Sequence, residues 1–528
     1  MKTFLEPLHE MDEFVSIMEA LQMENPPVEV TGCMDSQKCH MIYGISEKFK
    51  YKVIITHNDI RAREIYEDYK LFDKEVYLYP AKDFIFYSAD IHGQAITANR
   101  LLVMKKIMEK TPCTIITTLD GGMDLQLPLS VWEKNIITIS QGDVLDFSEF
   151  SKKLIALGYE KMPEVTRPGE FCIRGSIADV FLLTEECPYR IDLWGDEVDS
   201  IRSFDVESQR SIEKLNTIVI DPATEVILSE EELLSGIRKI RLDAKKQEAH
   251  FRAEGNAEGA HRIHNTVEEF AESVTWSHGM VNLDSYLPYF HSRTSTFFEF
   301  FNKKNTLFVL DEPARCLERC ESVEYEFRDS MASRLGKGYI LPKQMEVMRS
   351  LPVVLANLIK FKLVLFSTFS SAISDMEIKQ SITCYMRSSP NYNNNFSMLA
   401  KDILKYKKNG YRVLLLSASE TRGRRLCRDL DDFGITAFYD GKFDKALQPG
   451  EVMVAAGNLH HGFEYPNVKF VIVTESDIFG SRKKKKRKKH SKYEGTKINS
   501  FRDLKVGDYV VHENHGLGIY KGIEKIER

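Results

Sequence analysis

The segment Val28-Glu29-Val30-Thr31-Gly32-Cys33-Met34-Asp35-Ser36-Gln37-Lys38-Cys39 decides the fold. Val28 to Thr31 read as a short strand, Gly32 opens a turn, and a helix follows. Strand, glycine turn and helix in that order are the setting of a phosphate loop, Gly-x-x-x-x-Gly-Lys-Ser/Thr. In such a loop backbone N–H groups wrap the phosphates, the lysine reaches the β- and γ-phosphates, and the hydroxyl holds magnesium. Gly32 and Lys38 keep their places here, but Gln37 stands for the second glycine and Cys39 for the hydroxyl. A Cβ resists the conformations that glycine supplies, and a thiol is a poor ligand for a hard cation that wants oxygen. Asp35 adds a carboxylate where triphosphate oxygens would lie. The segment reads as a vestigial phosphate loop.

Working outward, strand and helix patterns alternate through residue 121. Lys52-Val53-Ile54-Ile55-Thr56, Glu75-Val76-Tyr77-Leu78-Tyr79 and Thr114-Ile115-Ile116-Thr117-Thr118 are strands. A helix with Ala62, Ile65, Tyr66 and Tyr69 on one face and another from Ala98 to Met108 lie between them. Such alternation predicts a parallel sheet with helices on its faces. From 122 to 212 strands crowd together with little helix, which predicts an inserted α+β module. Residues 213–345 begin helical, with Ser229 and Glu232 as a capping box at the entry, and continue to Thr306-Leu307-Phe308-Val309-Leu310-Asp311-Glu312, an apolar strand ending in two acids. A connecting segment spans 346–387 and a second small α/β domain 388–480. A basic linker, 481–500, leads to a short β-rich tail, 501–528. The fold class is therefore multidomain, α/β and α+β.

The composition is that of a globular protein: 43% hydrophobic and 28% charged over 528 residues, too long for one core. No run of eighteen apolar residues exists, and acids at 6, 10, 12 and 13 interrupt the N-terminus, so neither a membrane span nor a signal peptide is expected. Nine cysteines occur as scattered singles; Cys316 and Cys320 share a helical spacing, but no further ligands follow at zinc spacing. Reduced thiols, and no metal, are expected. The net charge of −6 includes the eight basic residues of 482–489, so the rest of the chain stands at −14. Strong phosphate contact must then be local. Lys483, Lys484, Lys485, Lys486 and Arg487 are read either as a solvated linker or as a nonspecific anchor on double-stranded DNA; no aromatic residue interleaves them.

Asp311-Glu312 after an apolar strand has the form of a Walker B pair, in which Asp holds magnesium and Glu positions water. Solvated acids at a strand end fit equally well. No glutamine–glycine–arginine motif occurs in the second α/β unit. The nucleotide site of Gly32, Lys38, Asp311 and Glu312 is expected to be silent, with no cofactor held by this chain. The alternative is a DNA-dependent ATPase or helicase with a residual site.

Two further stretches carry a family resemblance. One is Gly169-Glu170-Phe171-Cys172-Ile173-Arg174-Gly175-Ser176-Ile177-Ala178-Asp179-Val180-Phe181, continuing through Pro188-Tyr189-Arg190-Ile191-Asp192 to Phe204-Asp205-Val206-Glu207-Ser208-Gln209-Arg210. The other is Val506-Gly507-Asp508-Tyr509-Val510-Val511-His512-Glu513-Asn514-His515-Gly516-Leu517-Gly518-Ile519-Tyr520-Lys521-Gly522. The chain resembles the N-terminal half of the bacterial transcription-repair coupling factor. The first stretch is similar to the module by which that family, like UvrB, binds UvrA; the second is similar to the start of its RNA-polymerase-interacting β-barrel. The resemblance implies a cytoplasmic adaptor that links UvrA to the β subunit of a stalled RNA polymerase. It assigns Arg167, Arg174, Phe181 and Arg190 to UvrA, and Val510, Val511, His512, Leu517 and Ile519 to the polymerase. ATP and magnesium belong, by the same resemblance, to a translocase motor that would lie beyond Arg528. The barrel is expected to be cut short there.

Overall fold

In the computed structural model residues 1–23, 27–82, 94–276, 283–369, 376–378, 380–480, 509–512 and 516–519 are described. They fall into two units, Met1–Gly480 and Ser481–Arg528.

The first unit is organised by a seven-stranded sheet. Its strands run, in spatial order, Gln380–Thr383, Val28–Thr31, Lys362–Ser367, Thr306–Asp311, Tyr51–Thr56, Cys113–Thr118 and Val76–Tyr79. Every pairing is parallel. Thr306–Asp311 and Cys113–Thr118 are buried along their whole length, as expected where helices cover both faces. The connecting segment assigned from sequence to 346–387 is instead part of this sheet. Lys362–Ser367 lies between the strands at 28–31 and 306–311, and Gln380–Thr383 closes the edge beyond 28–31. Local pattern missed this because the strand that both segments pair with, Val28–Thr31, lies more than 300 residues earlier in the chain.

The inserted module is a six-stranded sheet in the order Ser211–Leu215, Glu197–Phe204, Tyr189–Trp194, Ile177–Val180, Glu170–Arg174 and Glu160–Lys161. One face buries Phe171, Ala178, Val180, Ile191, Val198 and Ile201; the other carries Arg174, Asp179, Arg190, Asp192 and Arg202, with Cys172 buried at one edge and Trp194 exposed at the other end. The helical stretch is a hairpin, Glu230–Ala253 and Ala257–Trp276, broken at Gly255, whose φ of 75° reverses the chain. Ser229 and Glu232 form the expected capping box.

The second α/β domain carries its own six-stranded sheet, Arg387–Ser388, Phe463–Tyr465, Phe470–Val473, Arg412–Ser417, Val452–Ala456 and Phe438–Tyr439. It shares one apolar cluster with the first domain through Phe4, Phe72, Phe443, Phe463 and Tyr465. His40 sits in that cluster, its Nδ1 2.8 Å from the Tyr465 hydroxyl and its Nε2 2.9 Å from the Phe4 carbonyl. Burial lowers its pKa to about 3, so it is neutral at ordinary pH.

In the second unit, Tyr509–His512 and Gly516–Ile519 pair antiparallel, with Val510 opposite Gly518 and Val511 opposite Leu517. Among the described residues no helix is long and apolar enough to cross a membrane.

Candidate functional site

The carboxyl ends of parallel strands are where such sheets present ligand-binding groups. Here the ends of four adjacent strands, Val28–Thr31, Lys362–Ser367, Thr306–Asp311 and Tyr51–Thr56, converge on one ion cluster. Lys38, in the first turn of the helix Asp35–Ile45, places Nζ 2.7 Å from Asp311 Oδ1 and 2.6 Å from Glu312 Oε1. Asp311 Oδ2 accepts from Thr56 Oγ1 at 3.1 Å and from Arg61 Nε at 3.3 Å. Glu312 Oε1 also accepts from the Thr368 N–H at 3.0 Å and from its hydroxyl. The side chains of Lys38 and Asp311 are 4% and 1% exposed. Burial opposes the charge on Lys38, but Asp311 and then Glu312 outweigh it and hold its pKa above the usual lysine value. Burial likewise opposes the Asp311 carboxylate, and Lys38 and Arg61 outweigh it and hold that pKa low.

The acids at 311 and 312 are therefore not solvated strand-end residues, and they meet the lysine of the vestigial loop. Two cations and two anions neutralise one another.

The loop itself is filled by the chain. Gly32 has φ 81°, and a Cβ there would lie 2.3 Å from the Cys384 carbonyl oxygen. The Cys384 N–H donates to the Thr31 carbonyl at 2.9 Å, extending the edge strand alongside the turn. Gln37, at the second glycine position, accepts from the Met34 N–H at 3.2 Å and donates to the Arg387 carbonyl at 2.8 Å. Ser36 donates to Asp68 at 2.7 Å and accepts from the His461 N–H at 3.1 Å. Asp68 in turn accepts from the His460 backbone at 2.8 Å and lies 2.7 Å from His460 Nδ1. The face of the helix that would meet phosphates is thus bound to residues 384–387 and 460–461. Sequence reading missed Thr56, Arg61, Asp68 and His460. Nothing in their local pattern marks them, although the His460-His461 pair in a loop was a visible signal.

On the inserted module the four arginine and phenylalanine candidates separate. Arg190 forks onto Asp179, with Nε to Oδ1 at 2.7 Å and Nη2 to Oδ2 at 2.8 Å, and its guanidinium lies 4.2 Å from the Phe204 ring centre. It is committed within the module. Phe181, 6% exposed, packs against Val165 and Cys172. Its assignment to a contact surface is corrected: it is a core residue. Arg167 bonds Glu170 Oε1 through Nε at 3.1 Å from an exposed position. Arg174 is 52% exposed and makes a single long contact, 3.4 Å to Asp179 Oδ2, which leaves most of its donors to solvent.

Lys483 to Arg487 lie outside the described residues. For Val510, Val511, His512, Leu517 and Ile519 the backbone pairing is described: they sit on the two strands of the terminal hairpin. Among the described residues no group of histidine, cysteine, aspartate and glutamate could hold a metal ion.

Comparison with known proteins agrees with this geometry. Residues 137–226 match the UvrB interaction domain and residues 504–528 the CarD-like/TRCF RID domain. The transcription-repair-coupling factor of Bacillus subtilis is 31% identical over 525 residues, covering 98% of this chain and 44% of the relative. Those of Staphylococcus epidermidis and Staphylococcus aureus are 28% identical, over 98% and 94% of this chain and 44% and 42% of the relatives. The chain spans somewhat under half the length of these relatives. Over nearly its whole length, and with both matched modules on one polypeptide, the chain is similar to the transcription-repair-coupling factors.

Proposed function

We propose that this chain is an adaptor for transcription-coupled repair, binding UvrA through the module at 137–226 and RNA polymerase through the segment at 504–528. The observation that carries it is the presence of both modules on one polypeptide. Arg174 supports the first contact, since a guanidinium with free donors can pair bidentately with a partner's carboxylate. Binding of the purified chain to UvrA, with Arg174→Ala as control, tests the reading. Binding weakened by the substitution supports it; a folded chain that does not bind refutes it.

We further propose that the vestigial loop neither binds nor hydrolyses nucleotide. Lys38 is held by two carboxylates and the Cys384 carbonyl lies against Gly32. A nucleotide would have to break that cluster and displace the 384–387 backbone. One observation favours the opposite reading, a UvrB-like ATPase: Lys38, Asp311 and Glu312 do converge as a nucleotide site would need. DNA-stimulated ATP hydrolysis abolished by Lys38→Ala would establish it.

A further inference from the structure

The outward face of the inserted sheet holds more than Arg174. Directly opposed residues of adjacent strands share a face. The register therefore gives three rows on the face away from the module's core, the second of them largely covered, with Asp179 1% and Cys172 2% exposed. The first is Arg174, Ile177, Asp192 and Ser200; the second, beside it, is Arg202, Arg190, Asp179 and Cys172. The third, at the open end of the sheet, is Trp194, Glu197 and Val144, the last joined through an isolated bridge to Glu197. Trp194 closes its strand at a two-residue turn in which Gly195 has φ 68°. It is 83% exposed and Val144 75%. Among the described residues both side chains stay open to solvent, although the strand of Trp194 buries Ile191 on its opposite face. Two strands and two residues separate Trp194 from Arg174, about 12 Å at usual strand spacings.

We propose that Trp194, flanked by Val144, is the apolar anchor of the UvrA contact, working with Arg174 as its charged partner. This rests on the proposed UvrA reading. All three residues fall inside the 137–226 match, and the register puts them on the face proposed above for that partner. The two neighbouring acids do not repel the occupant from Arg174: Asp179 is taken by Arg190, and Asp192 by Ser200 and Arg202. The occupant is therefore a protein surface presenting a carboxylate beside an apolar cleft that admits an indole. An indole brings about 150–250 Å² of burial at low entropic cost, and tryptophan with arginine is the pairing over-represented at interface hot spots.

The test is the dissociation constant for cognate UvrA measured for the full chain, with Trp194→Ala, Trp194→Phe, Val144→Asp and Arg174→Ala. Because Trp194 is exposed, Trp194→Ala should melt with the wild type. It should bind about thirtyfold more weakly, with Trp194→Phe retaining most of the affinity and Val144→Asp lowering it. If Trp194→Ala binds as the wild type while Arg174→Ala is weakened, the anchor is wrong and the UvrA reading stands. If the wild type does not bind, both fail. Concentration-dependent dimerisation lost in Trp194→Ala, with UvrA binding unchanged, would assign the face to a second copy of this chain and overturn the proposal.

Discussion

Replacing Lys38 by methionine keeps most of the stem's volume and deletes the charge. In a working phosphate loop the lysine faces a solvent-filled pocket and its loss costs activity rather than stability. Here Nζ is the nearest cation to both Asp311 and Glu312, and the Lys38–Asp311 contact is almost fully desolvated. The cluster of Lys38, Arg61, Asp311 and Glu312 is neutral; Lys38→Met leaves it with one negative charge in excess. Removing one partner of a buried pair costs about 3–5 kcal/mol. The lower end applies, because Arg61 and Thr56 still reach Asp311 and Thr368 still reaches Glu312. Over the 480 residues of the first unit, at about 2.1 cal/mol/K of unfolding entropy per residue, that is a fall of about 3 °C in its melting transition, read by circular dichroism. The pH dependence has a definite sign. Asp311 is held low, so its contribution is present above about pH 4 and lost as the pH falls through its lowered pKa. Lys38 is held high, so its contribution is present below about pH 10.4 and lost only as the pH rises through its folded value. The variant should therefore lose stability across the neutral range and converge on the wild type in acid. A Lys38→Met protein that melts within a degree of the wild type at pH 7 would show that the lysine is free, and the argument for a closed loop would fall with it.

Gly32→Ala should cost about 1–2 kcal/mol for the left-handed backbone alone, and more for the 2.3 Å approach to the Cys384 carbonyl; chemical denaturation would measure it. Arg190→Ala leaves Asp179 buried with only the long Arg174 contact and should destabilise the inserted module by about 3 kcal/mol, whereas Arg174→Ala should leave its melting unchanged. His460 has its pKa raised, chiefly by the hydrogen bond to Asp68. Its contribution is full below about pH 6.5 and fades as the pH rises through the folded value. Limited proteolysis of the second α/β domain should accordingly slow from pH 8.5 to pH 6, and Asp68→Asn should flatten that trend.

The alternation of strand and helix through residue 118, the crowded strands of the inserted module and the capping box at Ser229 are local patterns, set by side-chain period and turn chemistry. They were legible because each depends on neighbours a few residues away. The Gly32 turn was legible for the same reason, as was the loss of the second glycine and of the hydroxyl. The stretches around 169–210 and 506–522 carried the family resemblance.

Tertiary structure decided what became of the site. The sequence could place Asp311-Glu312 at a strand end but not say which strand stood between it and the loop. That strand is Lys362–Ser367, and the residue after it, Thr368, completes the cluster. Arg61, Asp68 and His460 join through separations of 32 to 392 residues, over which no periodicity reports contact. Whether Arg174 or Arg190 keeps its donors open to solvent was equally hidden, since both are arginines on strands of one sheet. The difference lies in which guanidinium Asp179 captures, and only packing settles that. Local sequence fixes the shape of each element; a charge finds its partner only once the elements are assembled.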